Sequence, residues 1–252
     1  MKTILNLIKC ELLKIKKTII PWVILIPPLI YGFLMQQLFV QGSENVLSDD
    51  ISAWQSLQSK YWPGMMLLFV PLFVALINSV SHYFDHKNNM WKLFYTMPIS
   101  STLIYSVKSI FTLLLIFVLF MTVALLTIPI AWSINIFIGE SIFVDNMEFF
   151  IENILPSALK GFGGALLIWS IHNWLSYRFE NYIISIVIAI IGSIVTMIAI
   201  QGWEHIDKFP YAFPYLSVIS DEVVAKGALM KSIGGAIVIF VLSMVDKKYF
   251  NH

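Results

Sequence analysis

The chain has 252 residues, 58% of them apolar and only 12% charged, whereas soluble domains carry about a quarter charged residues. That excludes an ordinary soluble enzyme and points to an integral membrane protein. The formal net charge of +1 and the scatter of the basic residues exclude a phosphate-tracking surface for nucleic acid. The single cysteine, Cys10, lies in a lysine-rich amino-terminal stretch, has no internal partner and reads as reduced.

Taken in order, residues 1–18 place Ile4, Ile8, Leu12 and Ile15 at spacings of four and three, with Lys2, Lys9 and Lys16 elsewhere. This is the pattern of a basic amphipathic helix lying on a bilayer, an elbow leading into the first span. The apolar run 19–40 is long enough to cross a core of about 30 Å. It contains Pro27 and Pro28 and is followed by no small-x-small site, so it reads as a span and not as a cleaved signal. After a polar, acidic stretch from Gln41 to Tyr61 comes a second span, 62–84, with Asn78 and Ser79 in its later half.

Residues 85–102, DHKNNMWKLFYTMPISST, are neither plainly apolar nor plainly an outer loop. Lys87 and Lys92, the rings of Trp91, Phe94 and Tyr95, and a stop at Pro98 predict a short amphipathic helix on the cytoplasmic membrane surface. From Leu103 to Ile138 the chain is again apolar, about 54 Å as one straight helix, so a break at Pro129 is expected, leaving a span over 103–128. The acidic stretch Gly139–Leu155 precedes a fourth span, 156–175, where Gly161, Gly163 and Gly164 permit close helix contact. A short link, 176–181, makes the fourth span and the fifth, 182–200, antiparallel neighbours. Residues 201–226 are rich in aromatics and prolines and are expected to dip into the outer interface, and a sixth span, 227–245, closes the chain.

The basic residues set the orientation. With both termini cytoplasmic, the inner segments hold Lys2, Lys9, Lys14, Lys16, Lys17, Lys87, Lys92, Arg178, Lys247 and Lys248, against Lys60 and Lys208 in the outer loops. Acids such as Glu44, Asp49, Asp50, Glu140, Asp145, Glu148 and Glu152 fall outside. The expected architecture is all-α: a single polytopic domain of six transmembrane helices with an elbow helix and a cytoplasmic helix.

No G-x-x-x-x-G-K-[ST] stretch occurs, so nucleotide binding through a P-loop is excluded in this chain. His82, Asp85 and His86 put two imidazoles on one helical face, but with no glutamate base or third histidine nearby they read as interfacial polar residues and not as a metal site. His172 and Asn173 read as a helix-end polar pair, and Lys108, about one turn into its helix, as a lysine that snorkels to the headgroups. None of the spans carries an acid or base near its centre, which disfavours ion-coupled transport. Paired acids, a Ser/His pair or His/Glu ligands within the spans, as a membrane enzyme would need, are missing. The bulky side chains have two readings. Met66, Phe69, Phe73, Phe117, Met121 and Trp132, with Asn78, either pack helices or line an adaptable greasy cavity for an amphipathic guest.

Three features carry a resemblance: the opening Asn6–Lys14 stretch, NLIKCELLK, with lysines after it; the segment Trp91–Ser100, WKLFYTMPIS, with Lys108 beyond; and the six-span layout. On these the chain resembles permease subunits of type-2 ABC transporters, in particular the Gram-positive group serving lantibiotic immunity, bacitracin resistance and export of cytolytic peptides such as phenol-soluble modulins. The resemblance implies that 85–102 is a coupling helix against a separate ABC ATPase, which holds the ATP and Mg, with Asp85, Asn88, Asn89, Trp91, Lys92, Phe94 and Pro98 as its contacts. It implies a second permease copy, identical or a sister subunit, a hydrophobic peptide substrate and a place in the bacterial cell membrane. It also implies that the broken segment before the sixth span closes the pathway. A lipid or other hydrophobic compound as substrate, or a non-catalytic accessory or sensor protein sharing the layout, are the alternatives.

Overall fold

A computed structural model describes residues 2–41, 53–88, 90, 96, 98–138, 146–219 and 221–249. The chain is helical throughout these residues, with no strand among them. Helix α1 (Lys2–Ile15) leads through a tight turn into α2 (Ile20–Gln41). Next come α3 (Ala53–Lys87), α4 (Ser101–Ile138), α5 (Met147–Arg178) and α6 (Tyr182–Ala199). Two 3-10 turns, Ile206–Lys208 and Pro210–Ala212, and the short α7 (Phe213–Ile219) precede α8 (Glu222–Tyr249). Six of these, α2 to α6 and α8, are long and apolar enough to cross a membrane. The chain is a multi-pass membrane protein.

Helices α3, α4 and α5 run furthest past the limits expected from the sequence, and α8, Glu222–Tyr249, also exceeds the expected 227–245. Helix α4 continues through Pro129 for 38 residues, about 57 Å, where a break was expected. Within a bilayer, backbone freed from one hydrogen bond finds no water, so the cheapest response to a single proline is to keep the helix going. Helices α3 and α5 begin inside stretches that read as polar loops, at Ala53 and Met147. Each meets a proline and passes it by a π-turn. Over Met65–Phe69 the Val70 amide bonds back to the Met65 carbonyl just before Pro71, and over Phe150–Ile154 the Leu155 amide bonds to the Phe150 carbonyl just before Pro156. The extra residue in the turn makes room for the proline ring against the preceding turn, so the helix axis survives. The extensions hold one another: Trp54 stacks on Phe149 with ring centroids 5.0 Å apart, and Gln58 donates to the Ser157 hydroxyl at 2.9 Å.

Helix α5 is the centre of the bundle, packed against α3, α4, α6, α7 and α8. Its glycines are the reason. A Cβ at Gly161 would lie 2.9 Å from both Met66 and Phe120, and one at Gly164 would meet the Phe213 carbonyl oxygen at 2.7 Å and the Ser217 hydroxyl at 2.6 Å. Gly164 thus lets the backbone of α7 lie directly on α5. The segment Pro210–Ile219 does not skim the surface. Tyr211, Ala212, Phe213, Leu216 and Ser217 are buried, with Tyr211 against Gly192 of α6, so the segment is re-entrant between α5, α6 and α8. Lys231 of α8 donates to the Asp207 carboxylate at 2.5 Å and to its carbonyl at 2.9 Å, tying down the 3-10 turn that leads into this segment. That bond holds the Asp207 carboxyl below the usual carboxylate range.

Helix α1 turns its sides the opposite way from a soluble amphipathic helix. Leu5, Leu12 and Leu13 point away from the protein, while Glu11 is buried and Lys14 is half-buried against it. For a helix lying in lipid the apolar side belongs outward, and the polar side must find partners within the chain.

Candidate functional site

The end of the bundle that carries α1, the close of α3, the start of α4 and the close of α8 is called basal below. There two carboxylates and two ammonium groups form a closed ring. Asp85, two residues before α3 ends, accepts from Lys14 through Oδ1 at 2.8 Å and from Lys108 through Oδ2. Glu11 accepts from Lys14 through Oε1 at 2.6 Å and reaches Lys108 through Oε2 at 3.5 Å. Each acid touches both lysines with separate oxygens, and the four charges sum to zero. Asp85 is 0% and Lys108 1% exposed. Burial alone would push the Lys14 ammonium down, but Glu11 and Asp85 outweigh it and hold its pKa above the ordinary lysine value.

This arrangement corrects the expectation for Lys108. Its ammonium does not snorkel to the surface; it turns inward, because two carboxylates within the protein solvate it better than the apolar boundary of a membrane does. Asp85, one of the expected partner contacts, has both oxygens engaged inside the chain. The effect is mechanical. Residues 88–100 leave α3 just after Asp85 and enter α4 two turns before Lys108, so the ring staples both ends of that segment to each other and to α1. The staple extends to α8, where Lys247 donates to the Ser101 carbonyl and lies over the Tyr105 and Tyr177 rings at 5.1 and 5.4 Å. Asp246 accepts from the Trp174 indole at 3.0 Å.

A polar seam runs from this ring along α5. His82, one turn before Asp85, pairs through Nε2 with Asn173 Oδ1 at 3.1 Å, and the Asn173 amide donates to Tyr105 and Ser109 of α4, both at 2.9 Å. Tyr105 in turn donates to Ser243 of α8 at 2.9 Å. On the other side of α5, His172 meets Ser185 of α6 through Nδ1 at 2.7 Å, a Ser/His pair within the spans where none was expected, and Tyr211 of the re-entrant segment through Nε2 at 3.0 Å. Asn173 and His172 therefore join five elements, well beyond a helix-end pair. His82 and Asp85 face different partners, and their shared helical face does not make a ligand set.

Asn88 caps α3, its amide donating to the Phe84 carbonyl at 2.7 Å, and Pro98 is exposed in the link before α4. Asn89, Trp91, Lys92 and Phe94 lie outside the described residues, as does most of the expected short helix. Met66 is fully buried in the core. Phe69 lies 5.7 Å from Phe73 and 4.9 Å from Tyr31, and Phe117 meets Phe162 edge-on at 5.3 Å. Asn78 donates to the Val74 carbonyl at 2.8 Å. Met121 is half-buried, and Trp132 is 63% exposed. Phe69 and Phe73 are neighbours, whereas Trp132 faces outward near the opposite end.

Glu11 and Lys14 were not singled out from the sequence. The signal was there: an acid among lysines in α1, Asp85 at a span's end and Lys108 within an apolar run are isolated charges that a membrane helix holds only in pairs.

Compared with known families, residues 7–196 match the one described as ABC-2 family transporter protein. No curated protein and no solved structure matches the chain.

Proposed function

The chain belongs to the ABC-2 transporter family, and from that premise we propose that it is the transmembrane subunit of an ABC exporter driven by a separate ATPase that carries ATP and Mg. The observation that carries the coupling role is the buried ring of Glu11, Lys14, Asp85 and Lys108. A push on residues 88–100 from outside the membrane enters α3 and α4 together, and α1 with them, instead of being lost in a slack loop. In this reading Trp91, Phe94, Lys92, Asn89 and Pro98 meet the motor, Asn88 shapes the exit from α3, and Asp85 positions the segment from within. The seam through Asn173 and His172 then connects the basal end to Tyr211, so that the re-entrant segment 210–219 is the part that opens and closes.

The substrate we assign is an amphipathic antimicrobial or cytolytic peptide of the lantibiotic or modulin kind, taken from the membrane or the cytoplasm, with Met66, Phe69, Phe73, Asn78, Phe117, Met121 and Trp132 along its route. Flexible methionine and aromatic surfaces suit varied apolar guests. A second permease copy covers part of the outward aliphatic face of α6, where Ile183, Val187, Ile190, Ile191, Ile194 and Ile198 are exposed. The same apolar exposure also suits a lipid or other hydrophobic compound as cargo. Both termini are cytoplasmic in a bacterial cell membrane, following the lysine distribution. Copurification of the tagged chain with a co-expressed ABC ATPase, followed by identification of bound peptide or lipid, tests the proposal. Recovery of the chain without any ATPase would leave the accessory or sensor reading in its place.

A further inference from the structure

At the corner where α1 turns into α2, a cleft of about 320 Å³ opens between that turn and the end of α3. Lys17 and Thr18 line one rim, Lys87 and Asn88 the other, and Ile19, Val80 and Phe84 form the floor with Tyr83. Lys17 and Lys87 are both exposed. Of the acids of this end, Glu11 and Asp85 are consumed by Lys14 and Lys108, and Asp246 faces the Trp174 indole and Arg178; among the described residues no carboxylate pairs with Lys17 or Lys87. Lys87 instead lies over the Tyr83 ring at 6.0 Å, and that ring is braced by Tyr182 of α6 at 4.8 Å. Below the cleft the outward face of α2 is apolar and exposed, through Ile19, Trp22, Leu25, Ile26 and Leu29.

We infer that this cleft binds one anionic phospholipid, the phosphate between the Lys17 and Lys87 ammonium groups and an acyl chain along the Trp22 face of α2. The two ends of the site call for opposite chemistries: two uncompensated cations at the level where α2 and α3 meet the headgroups, and an uninterrupted apolar track directly beneath. A free phosphate would use only the first, and a detergent or sterol only the second. A bound lipid would also sit beside residues 88–100, so headgroup charge would bear on the segment proposed to meet the motor. The site itself requires only that the basal end lies at a membrane surface, and it stands whether or not the exporter assignment does.

The test is native mass spectrometry of the full chain released from nanodiscs of phosphatidylglycerol and phosphatidylcholine in equal parts, with lipid adducts counted. Lys17→Gln/Lys87→Gln should lower retention of the first phosphatidylglycerol at least about ten-fold, since each basic contact near anionic lipid contributes roughly five-fold. Lys17→Arg/Lys87→Arg should restore it. The control Lys9→Gln/Lys16→Gln removes two exposed lysines of the same α1–α2 region outside the cleft and should change retention less than about two-fold. Equal loss in both glutamine pairs would mean diffuse surface attraction and would overturn the inference, as would no loss in the cleft pair. Displacement of the lipid by millimolar inorganic phosphate would reduce the site to a simple anion pocket and overturn the lipid assignment.

Discussion

Cutting the basal ring at one charge should cost far more than removing an opposite pair. Lys108→Met leaves Asp85 buried with Lys14 alone, and Asp85→Leu leaves Lys108, 1% exposed, with only the 3.5 Å contact to Glu11. Breaking a buried ion pair from one side costs about 3–5 kcal/mol, because the surviving charge stays desolvated. The double variant Asp85→Leu/Lys108→Met removes one charge of each sign, fills the space with side chains of similar bulk and leaves the Glu11–Lys14 pair at 2.6 Å intact. Such replacements are often neutral, so the double variant should recover at least about 2 kcal/mol relative to the sum of the single losses. Reversible unfolding in mixed micelles, followed by tryptophan fluorescence, gives all four corners of the cycle. Additivity to within about 0.5 kcal/mol would show that the two residues do not interact, and the staple argument would fall with it.

Gly164→Val should lift α7 from α5 at a cost of about 1–3 kcal/mol and raise the thiol-labelling rate of a cysteine at buried Ser217, whereas Gly234→Ala, which meets nothing within 4 Å, should do neither. Tyr211→Phe strips His172 Nε2 of its partner and should destabilise the chain by about 1–3 kcal/mol, measured in the same micelles; an unchanged midpoint would mean the bond is idle. In a Cys10→Ser background, cysteines at Asn45 or Asp145 should react with an impermeant reagent from outside intact cells, and those at Asn88 or Asn181 should not. Labelling at Asn88 would invert the orientation.

Much of the fold could be read directly, because apolar length is a strong signal in a bilayer and the six helices follow the six apolar runs. Their limits could not. Pro129 looks like a helix stop by the rules of soluble proteins, yet it is simply traversed, and Pro71 and Pro156 are each passed just after a π-turn in helices that start well before them. Composition alone also made Ala53–Tyr61 a loop, since polar helix extending beyond a membrane resembles polar loop until a partner such as Phe149 is seen across from Trp54. The site divides along the same line. Residues 85–102 stood out for their mixed chemistry, but the ring depends on Glu11 and Lys108, 97 positions apart, and no periodicity links residues that distant. Asn173 and His172 were visible as polar residues near a span's end; that they join α3, α4, α6 and the re-entrant segment is a property of packing.

The claim that residues 88–100 transmit force from a motor is tested most directly by recovery of the ATPase on tagged permease variants. On the helical reading of that segment Trp91 and Phe94 share one face. Truncating a buried aromatic anchor typically costs about 2 kcal/mol or more, a loss of roughly 30-fold in affinity. Trp91→Ala and Phe94→Ala should therefore reach the membrane normally yet lose the ATPase, while Lys92→Ala, a rim charge, should mainly change the salt dependence of its recovery. Undiminished recovery and unchanged transport with both aromatic variants would contradict the account.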